Sequence, residues 1–121
     1  GRIYRSDSVD YGRTWCPAYP TDLPNNNSGI DVVSMDNGLL VLAYNPIEGN
    51  WNRRYPISIS YSLDNGKNWS VPLDFESKEG EFSYPAIIAD GQNLHMTYTW
   101  NRKNIIYQPI TADDYKNGEF S

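Results

Sequence analysis

The sequence predicts an all-β fold built from repeated four-stranded modules. Short segments rich in Val, Ile, Tyr and Thr alternate with clusters of Gly, Pro, Asn, Asp and Ser, which is typical of short strands joined by turns. Helix-favouring runs of Ala, Leu, Glu and Lys are absent from the sequence, whereas aromatic residues reach 14%, with ten Tyr and four Trp. One eight-residue pattern also occurs twice, which indicates an internal repeat.

The repeated pattern is Ser-x-Asp-x-Gly-x-x-Trp, at residues 8–15 and 62–69, with its two aspartates 54 residues apart. We expect the Ser and Asp side chains to accept hydrogen bonds from backbone N–H groups one or two residues ahead, which fixes a tight turn. Gly supplies the positive φ of such a turn, and Trp is expected to begin the returning strand with its ring beneath the turn. The pattern assigns this structural role to Ser8, Asp10, Gly12, Trp15, Ser62, Asp64, Gly66 and Trp69.

Strand-like runs surround the two turns and divide the chain into modules. We predict the end of one module over 1–29, a complete module over 30–75 and most of the next over 76–121. Four antiparallel strands in a period near 50 residues are typical of a β-propeller blade, so the chain is predicted to form about two and a half blades. The strand-like runs are residues 2–5, 30–35, 39–44, 57–61, 82–88, 94–100 and 105–107.

Such a partial propeller is expected to need neighbours. A single blade cannot bury both of its faces, and the edge strands at both ends would present unpaired backbone groups. We therefore expect either missing blades of the same protein or a second copy of the chain to cover these faces. The simplest self-association is a dimer or trimer in which residues 1–20 of one copy pair with residues 82–110 of another.

The repeated turn resembles the Asp-box, or BNR repeat, of the sialidase-like (neuraminidase) superfamily. Two further segments resemble that family. Arg54, in Arg54-Tyr55-Pro56-Ile57, occupies the place of the last of three substrate-binding arginines, with Arg53 as a one-residue alternative. Tyr84, before Pro85, occupies the place of the catalytic tyrosine nucleophile. The resemblance implies the C-terminal blades of a six-bladed propeller from a secreted or periplasmic bacterial protein.

The family's activity is cleavage of terminal sialic acid, or a related sugar, with retention and without a cofactor or metal. A carboxylate nucleophile would be repelled by the carboxylate of such a substrate, so a neutral phenol assisted by a base suits an anionic sugar. The planar fork of arginine grips a carboxylate through two parallel hydrogen bonds. The resemblance therefore implies Tyr84 as a catalytic residue, Arg54 as a substrate-binding residue and a glycan as the ligand.

The chain also departs from the family pattern. The first arginine, the acid/base aspartate and the glutamate partner have no counterpart, and both Arg2 and Arg5 are candidates for the second arginine. Pro85 replaces the small residue that usually follows the nucleophile. We expect a fragment of a sialidase-like glycoside hydrolase that is inactive alone. The alternative is a non-catalytic carbohydrate-binding or interaction propeller module.

Other residues have both a functional and a structural interpretation. Trp51, on a polar loop, is expected to stack on a sugar, whereas Trp100 is expected to pack in a blade core. Glu79 and Glu81 could act as a local base for Tyr84, although a solvated loop rim is the commoner arrangement of such a pair. Arg54 could likewise be a solvated loop arginine, and Tyr84 an ordinary strand tyrosine.

Several function classes are disfavoured by composition. The net charge of −5 and the absence of a basic stripe argue against nucleic acid, and no apolar stretch has the length of a membrane span. A single histidine, His95, and a single cysteine, Cys16, argue against a zinc site or a Ser/His/Asp triad. We expect Cys16 to be a small buried or half-buried apolar residue.

Overall fold

The computed structural model of the chain describes residues 1–49, 53–111 and 114. Trp51, the residue expected to face a sugar, lies outside the described residues. In the described part of the chain, no helix has the length and apolar character needed to cross a membrane. The strands are β1 (Arg2–Arg5), β2 (Tyr19–Pro24), β3 (Asp31–Ser34), β4 (Leu40–Tyr44), β5 (Ile57–Ser62), β6 (Leu73–Glu76), β7 (Phe82–Asp90), β8 (Asn93–Trp100) and β9 (Asn104–Ile110).

These strands form three antiparallel sheets that follow one another along the chain. The first sheet contains β1 and β2, the second β3 to β6, and the third β7 to β9. Within each sheet, every strand pairs with the next one in sequence, which is typical of a propeller blade. The predicted all-β, propeller-like fold is confirmed.

Strand β5 shows how side-chain alternation produces the layered packing. Its sequence Ile-Ser-Ile-Ser-Tyr-Ser places large apolar residues on one face and serines on the other. All six residues are buried, because a neighbouring sheet covers each face. Since serine is small, the second face accommodates Tyr44, whose hydroxyl is hydrogen-bonded to that of Ser60 at 2.8 Å.

Strands β2 and β6 both lie outside the predicted strand-like runs, and β2 departs further from a strand pattern. It contains Pro20 and Pro24 and alternates poorly, with Tyr19 and Asp22 both exposed. Proline lacks an N–H donor and is therefore confined to edge strands and bulges. Among the described strands, β2 pairs with β1 alone, so it is an edge strand and tolerates both prolines.

Two apolar cores lie between the sheets. The smaller core joins the first sheet to the second, and Trp69 packs against it. The larger core joins the second sheet to the third, and Trp100 packs against it, as expected for a blade-core residue. The small core contains Ile3, Leu23, Leu42 and Tyr44. The large core contains Met35, Leu39, Val41, Ala43, Ile57, Ile59, Tyr61, Phe82, Ile87, Leu94, Met96, Tyr98 and Ile110.

The outer face of the third sheet carries apolar side chains that stay exposed in the single chain. Ile88 is 63% exposed, Ile105 77% and Tyr107 56%. On the same face, His95 stacks on Tyr107, and its Nδ1 lies 2.6 Å from the Tyr107 hydroxyl oxygen. Exposed apolar faces of this kind favour association, so self-association stays a prediction, to be checked by sedimentation at micromolar concentration.

Candidate functional site

The first repeated turn is closed by its own polar side chains. The Ser8 hydroxyl donates to Asp10 Oδ1 at 2.8 Å and accepts the Gly12 N–H at 2.8 Å. Asp10 Oδ1 also accepts the Thr14 N–H at 2.8 Å. The Trp15 indole N–H donates to the Gly12 carbonyl at 3.1 Å, so the ring folds back under the turn.

The second turn repeats this arrangement. The Ser62 hydroxyl donates to Asp64 Oδ1 at 2.9 Å and accepts the Gly66 N–H at 2.7 Å. Asp64 Oδ1 accepts the Asn68 N–H at 2.8 Å, and the Trp69 indole N–H donates to the Gly66 carbonyl at 3.1 Å. Identical bonding in two differently placed copies shows that the pattern determines the turn locally.

One detail of the predicted turn was confirmed only in part, and another was wrong. In both copies the Ser hydroxyl accepts the N–H two residues ahead at 3.4 Å, but the shorter contacts of the Ser and Asp side chains are with N–H groups four residues ahead. Trp15 and Trp69 do not begin the returning strands, which start later at Tyr19 and Leu73. In each copy, two successive residues with positive φ precede the Trp and lengthen the loop before the returning strand. These residues are Tyr11 and Gly12 in the first copy and Asn65 and Gly66 in the second.

The same hydrogen bonds favour the ionised form of the two turn aspartates. The pKa of Asp10 is lowered from 3.8 to about 2, mainly by the hydroxyl and then the N–H of Thr14. The pKa of Asp64 is lowered from 3.8 to about 2, mainly by the N–H and then the side-chain amide of Asn68. These carboxylates therefore stabilise turns, which accounts for their presence without a catalytic role.

Tyr84 lies at an irregularity near the start of β7. Ser83 pairs with Thr99 and Ala86 with Thr97, so two residues of β7 stand opposite one of β8, as in a β-bulge. Tyr84 has a φ of 53° and is 67% exposed. Since a residue before proline favours an extended backbone, this left-handed conformation is strained by roughly 1–3 kcal/mol. Strain of this kind clusters at functional sites.

The loop between β2 and β3 passes beside the Tyr84 ring. A Cβ atom added to Gly29 would lie 3.6 Å from Cδ1 of that ring. The buried Asn26 holds this loop in place, since its amide donates to the Arg53 carbonyl at 2.9 Å and its Oδ1 accepts the Ser28 N–H at 3.1 Å. The loop before β3 and the segment before β5 are thereby joined next to Tyr84.

Arg54 lies closest to Tyr84 of the two adjacent arginines. Its guanidinium carbon is 5.9 Å from the centroid of the Tyr84 ring, within the range of a cation–π contact. The Arg53 guanidinium lies instead over the Tyr55 ring at 5.1 Å. The Phe82 N–H donates to the Arg54 carbonyl at 2.9 Å, which attaches this segment to the start of β7.

Glu81 connects Arg54 to the turn between β8 and β9. Its Oε1 lies 3.5 Å from Nη1 of Arg54 and 2.8 Å from Nε of Arg102. The Glu81 N–H donates to Asn101 Oδ1 at 2.8 Å, and the Asn101 N–H donates to the Glu81 carbonyl at 2.7 Å. Asn101 and Arg102 both have positive φ, 50° and 55°, so this turn is left-handed at both central residues.

A family model described as a BNR repeat-like domain matches residues 1–96. The chain belongs to this family. The matched region includes both repeated turns, Arg54, Glu81 and Tyr84. No curated protein and no solved structure matched the chain.

The two arginines on β1 of this BNR repeat-like protein have different surroundings. Arg5 donates to Asp7 Oδ1 and to the Asn65 carbonyl, both at 2.7 Å, so it joins the first sheet to the second repeated turn. Arg2, at the other end of β1, donates to the Asp22 carbonyl at 2.9 Å and lies 3.8 Å from a carboxylate oxygen of Glu48. Arg54 precedes β5, whose far end leads into the second turn, so Arg5 lies away from Tyr84.

Sequence reasoning missed the role of Arg102 and Asn26. Arg102 comes from a hairpin whose register is invisible in a one-dimensional pattern, although Asn101 before it is typical of a left-handed turn. The sequence suggests either a base or a solvated rim residue for Glu81, whereas in the structure its carboxylate pairs with two arginines. Glu79 is exposed.

The BNR repeat-like protein has two further features outside this cluster. Cys16 is exposed, so the expectation of a buried or half-buried residue was wrong; its sulfur accepts the Asp7 N–H at 3.3 Å and thus helps to close the first turn. A cleft of about 650 Å³ is lined by residues that include Tyr19, Lys67 and Trp69, but not by Arg54, Glu81, Tyr84 or Arg102. Within residues 1–49, 53–111 and 114, no three His, Cys, Asp or Glu side chains are grouped to hold a metal ion.

Proposed function

We propose that the chain is part of a sialidase-like glycoside hydrolase and that Tyr84 and Arg54 face an anionic sugar, sialic acid or a related one. The observation that carries this proposal is the position of the Arg54 guanidinium, 5.9 Å from the centroid of the exposed Tyr84 ring. In a site for an acidic sugar, the cation binds the carboxylate while the phenol attacks the neighbouring anomeric carbon. Arg53, which packs on a different ring, does not meet this requirement.

The remaining catalytic groups have to come from elsewhere. The acid/base aspartate, the glutamate partner of the tyrosine and the first arginine of the clamp have no counterpart in this sequence. Glu81 is near Tyr84 in sequence, but its carboxylate is engaged by Arg54 and Arg102. Arg2 is the better candidate for the second arginine, because Arg5 lies at the end of β1 next to the second repeated turn, away from Tyr84. The chain alone therefore binds but does not hydrolyse, and a secreted or periplasmic location stays a prediction.

The proposal is tested by binding and turnover of the same chain. Titration with N-acetylneuraminic acid, followed by NMR, should move signals of Tyr84 and Arg54, whereas its uncharged methyl ester should bind more weakly because it lacks the carboxylate. Arg54→Gln should weaken binding about tenfold or more, since a charge-assisted bidentate contact is lost. Arg53→Gln is the matched control and should bind as the wild type does.

Turnover separates the enzyme-derived function from its alternative. A fluorogenic sialoside should remain uncleaved by the 121-residue chain, and appreciable hydrolysis would contradict the proposed incompleteness. Glycan binding that survives Tyr84→Phe but is lost on Trp51→Ala would favour the non-catalytic carbohydrate-binding or interaction module. Unchanged binding in both Arg54→Gln and Tyr84→Phe would remove the proposed site altogether.

A further inference from the structure

One oxygen of the Glu81 carboxylate contacts two guanidinium groups. Oε1 lies 2.8 Å from Nε of Arg102 and 3.5 Å from Nη1 of Arg54. The two arginines come from different blades, Arg54 from the segment before β5 and Arg102 from the turn between β8 and β9. The cluster therefore concentrates two positive charges against one negative charge in a chain whose net charge is −5.

Most of the hydrogen-bonding capacity of these guanidinium groups remains available. A guanidinium has five N–H donors in a fixed fork. Among the described residues, the Glu81 carboxylate contacts one nitrogen of each guanidinium, and the Arg54 guanidinium also lies over the face of the Tyr84 ring. A planar or tetrahedral oxyanion could thus be bound by the remaining N–H groups without breaking either ion pair.

The backbone around the cluster keeps both arginines in place. Glu81 and Asn101 exchange two hydrogen bonds, at 2.8 and 2.7 Å, which lock the β8–β9 turn against the start of β7. Arg54 is tied to the same segment through the Phe82 N–H. Solvent exposure of the side chains increases from Arg54 through Glu81 to Arg102, at 22%, 36% and 74%. An incoming anion therefore reaches Arg102 first.

We propose that Arg102 is a further anion-binding residue of the Tyr84 site, outside the arginine clamp that the family resemblance implies, and that Glu81 is the positioning residue that aligns it with Arg54. This inference rests on the proposed function, since it assigns a further contact to the acidic group of the same ligand. The chemistry recognised is an oxyanion, which is a carboxylate on a sugar or a free sulfate-like ion. The two sources are separate arms of the test.

The first measurement compares two variants of the β8–β9 turn. Binding of N-acetylneuraminic acid and of sodium sulfate is measured by NMR titration of the whole chain at constant ionic strength. Arg102→Gln should raise the Kd for the sugar about tenfold, as expected for one charge-assisted hydrogen-bonded contact. Lys103→Gln removes the same charge from the neighbouring position and should change the Kd about twofold or less, because exposed charges are screened. Equal effects of the two variants would overturn the role of Arg102.

The second measurement concerns Glu81. Glu81→Gln makes the site more positive, so charge alone would tighten the binding of either anion. If Glu81 positions the two arginines, the Kd should instead rise by about threefold to tenfold, because the charge-assisted contacts that align them are weakened. The thermal unfolding midpoint serves as the control for folding. Tighter binding to a folded Glu81→Gln variant would show that Glu81 competes with the ligand and would overturn its positioning role.

The probes keep this inference separate from the proposed function. If Arg54→Gln abolishes sugar binding while Arg102→Gln leaves it intact, the inference fails and the proposed function stands. If sulfate binds in an Arg102-dependent way while N-acetylneuraminic acid does not bind, the anion site stands and the proposed sugar fails. If the wild-type chain binds neither probe, both are overturned. Arg102→Lys retains the charge without the fork and should restore only part of the affinity.

Discussion

The two repeated turns have the same internal hydrogen bonds but very different surroundings. Both tryptophans donate to the corresponding glycine carbonyl at 3.1 Å, yet Trp15 is 62% exposed while Trp69 is half-buried and packs against the smaller core. Ser62 is 1% exposed, whereas Ser8 is only half-buried. The comparison shows that the motif determines the shape of the turn, and that the neighbouring sheet determines how deeply the turn is buried.

Arg5 accounts for part of the difference. It lies on β1, directly before the first turn, and its guanidinium donates to the Asn65 carbonyl of the second turn at 2.7 Å. The second turn is therefore attached to the first sheet by a charge-assisted hydrogen bond as well as by the Trp69 ring. Removing these contacts one by one should make the two turns progressively more alike.

The largest effect is expected from removing the tryptophan rings. Trp69→Ala should destabilise the protein by about 3 kcal/mol, because it opens a cavity beside the smaller core, whereas Trp15→Ala should cost about 1 kcal/mol. Urea unfolding of both variants checks the difference. Trp69→Phe and Trp15→Phe are the controls, since each removes the indole N–H but keeps a ring. Equal losses in the two alanine variants would contradict the proposed effect of burial.

A smaller difference in the free energy of unfolding is expected between alanine variants of the two turn glycines, Gly12 and Gly66. Both have a φ of 84°, so alanine at either position is strained by about 1 kcal/mol. A Cβ at Gly66 would also lie 2.5 Å from Nη1 of Arg5, whereas the nearest neighbour at Gly12 is 3.7 Å away. Gly66→Ala should therefore cost about 1 kcal/mol more than Gly12→Ala, because Arg5 must leave the Asn65 carbonyl.

An Arg5→Gln background tests this explanation of the glycine pair. Once the guanidinium is absent, Gly66→Ala and Gly12→Ala should have equal effects on the free energy of unfolding. A difference that persists in this background would mean that Arg5 is not its cause.

The smallest difference between the turns is expected in their response to acid. Asp10 and Asp64 both have a pKa of about 2 in the folded chain against an ordinary value of 3.8. The unfolded chain thus binds more protons between these values, so the stabilisation is present above about pH 4 and is lost as the pH falls through about 2. Asp10→Asn and Asp64→Asn should reduce the slope of stability against pH in this window by similar amounts.

Denaturant unfolding at pH values from 5 to 2 is the corresponding measurement. A much larger reduction of the slope in Asp64→Asn would show that the surroundings, and not only the motif, determine the ionisation of the turn aspartate.

Strand positions were largely predictable because the pattern of the β-strands is local. The alternation in β5 and β8 and the apolar run of β4 reflect burial on one or both faces of a sheet, and such patterns can be recognised in the sequence. Strand β2 escaped detection because its prolines and exposed residues give no such alternation. The turn geometry was only partly predictable, since the reach of the Ser and Asp side chains depends on the left-handed residues between them.

The candidate site was predictable only in part. The resemblance placed Tyr84 and Arg54 at related positions, and the structure brings their side chains together. Nothing in the pattern could choose Arg54 over Arg53, because adjacent residues differ in direction and this direction is decided by the contact between Arg54 and β7. Glu81 and Arg102 are 21 residues apart in sequence and meet because β8 and β9 return the chain to the start of β7.

The sequence by itself determined the fold class, the repeated turns and the order of the strands, because each depends on residues that are close along the chain. The tertiary structure alone decided which copy of the turn is buried, which arginine faces Tyr84 and how Glu81 links Arg54 to Arg102. The physical reason is that burial and ion pairing arise where sheets meet, and these contacts join residues from separate segments that no local pattern records.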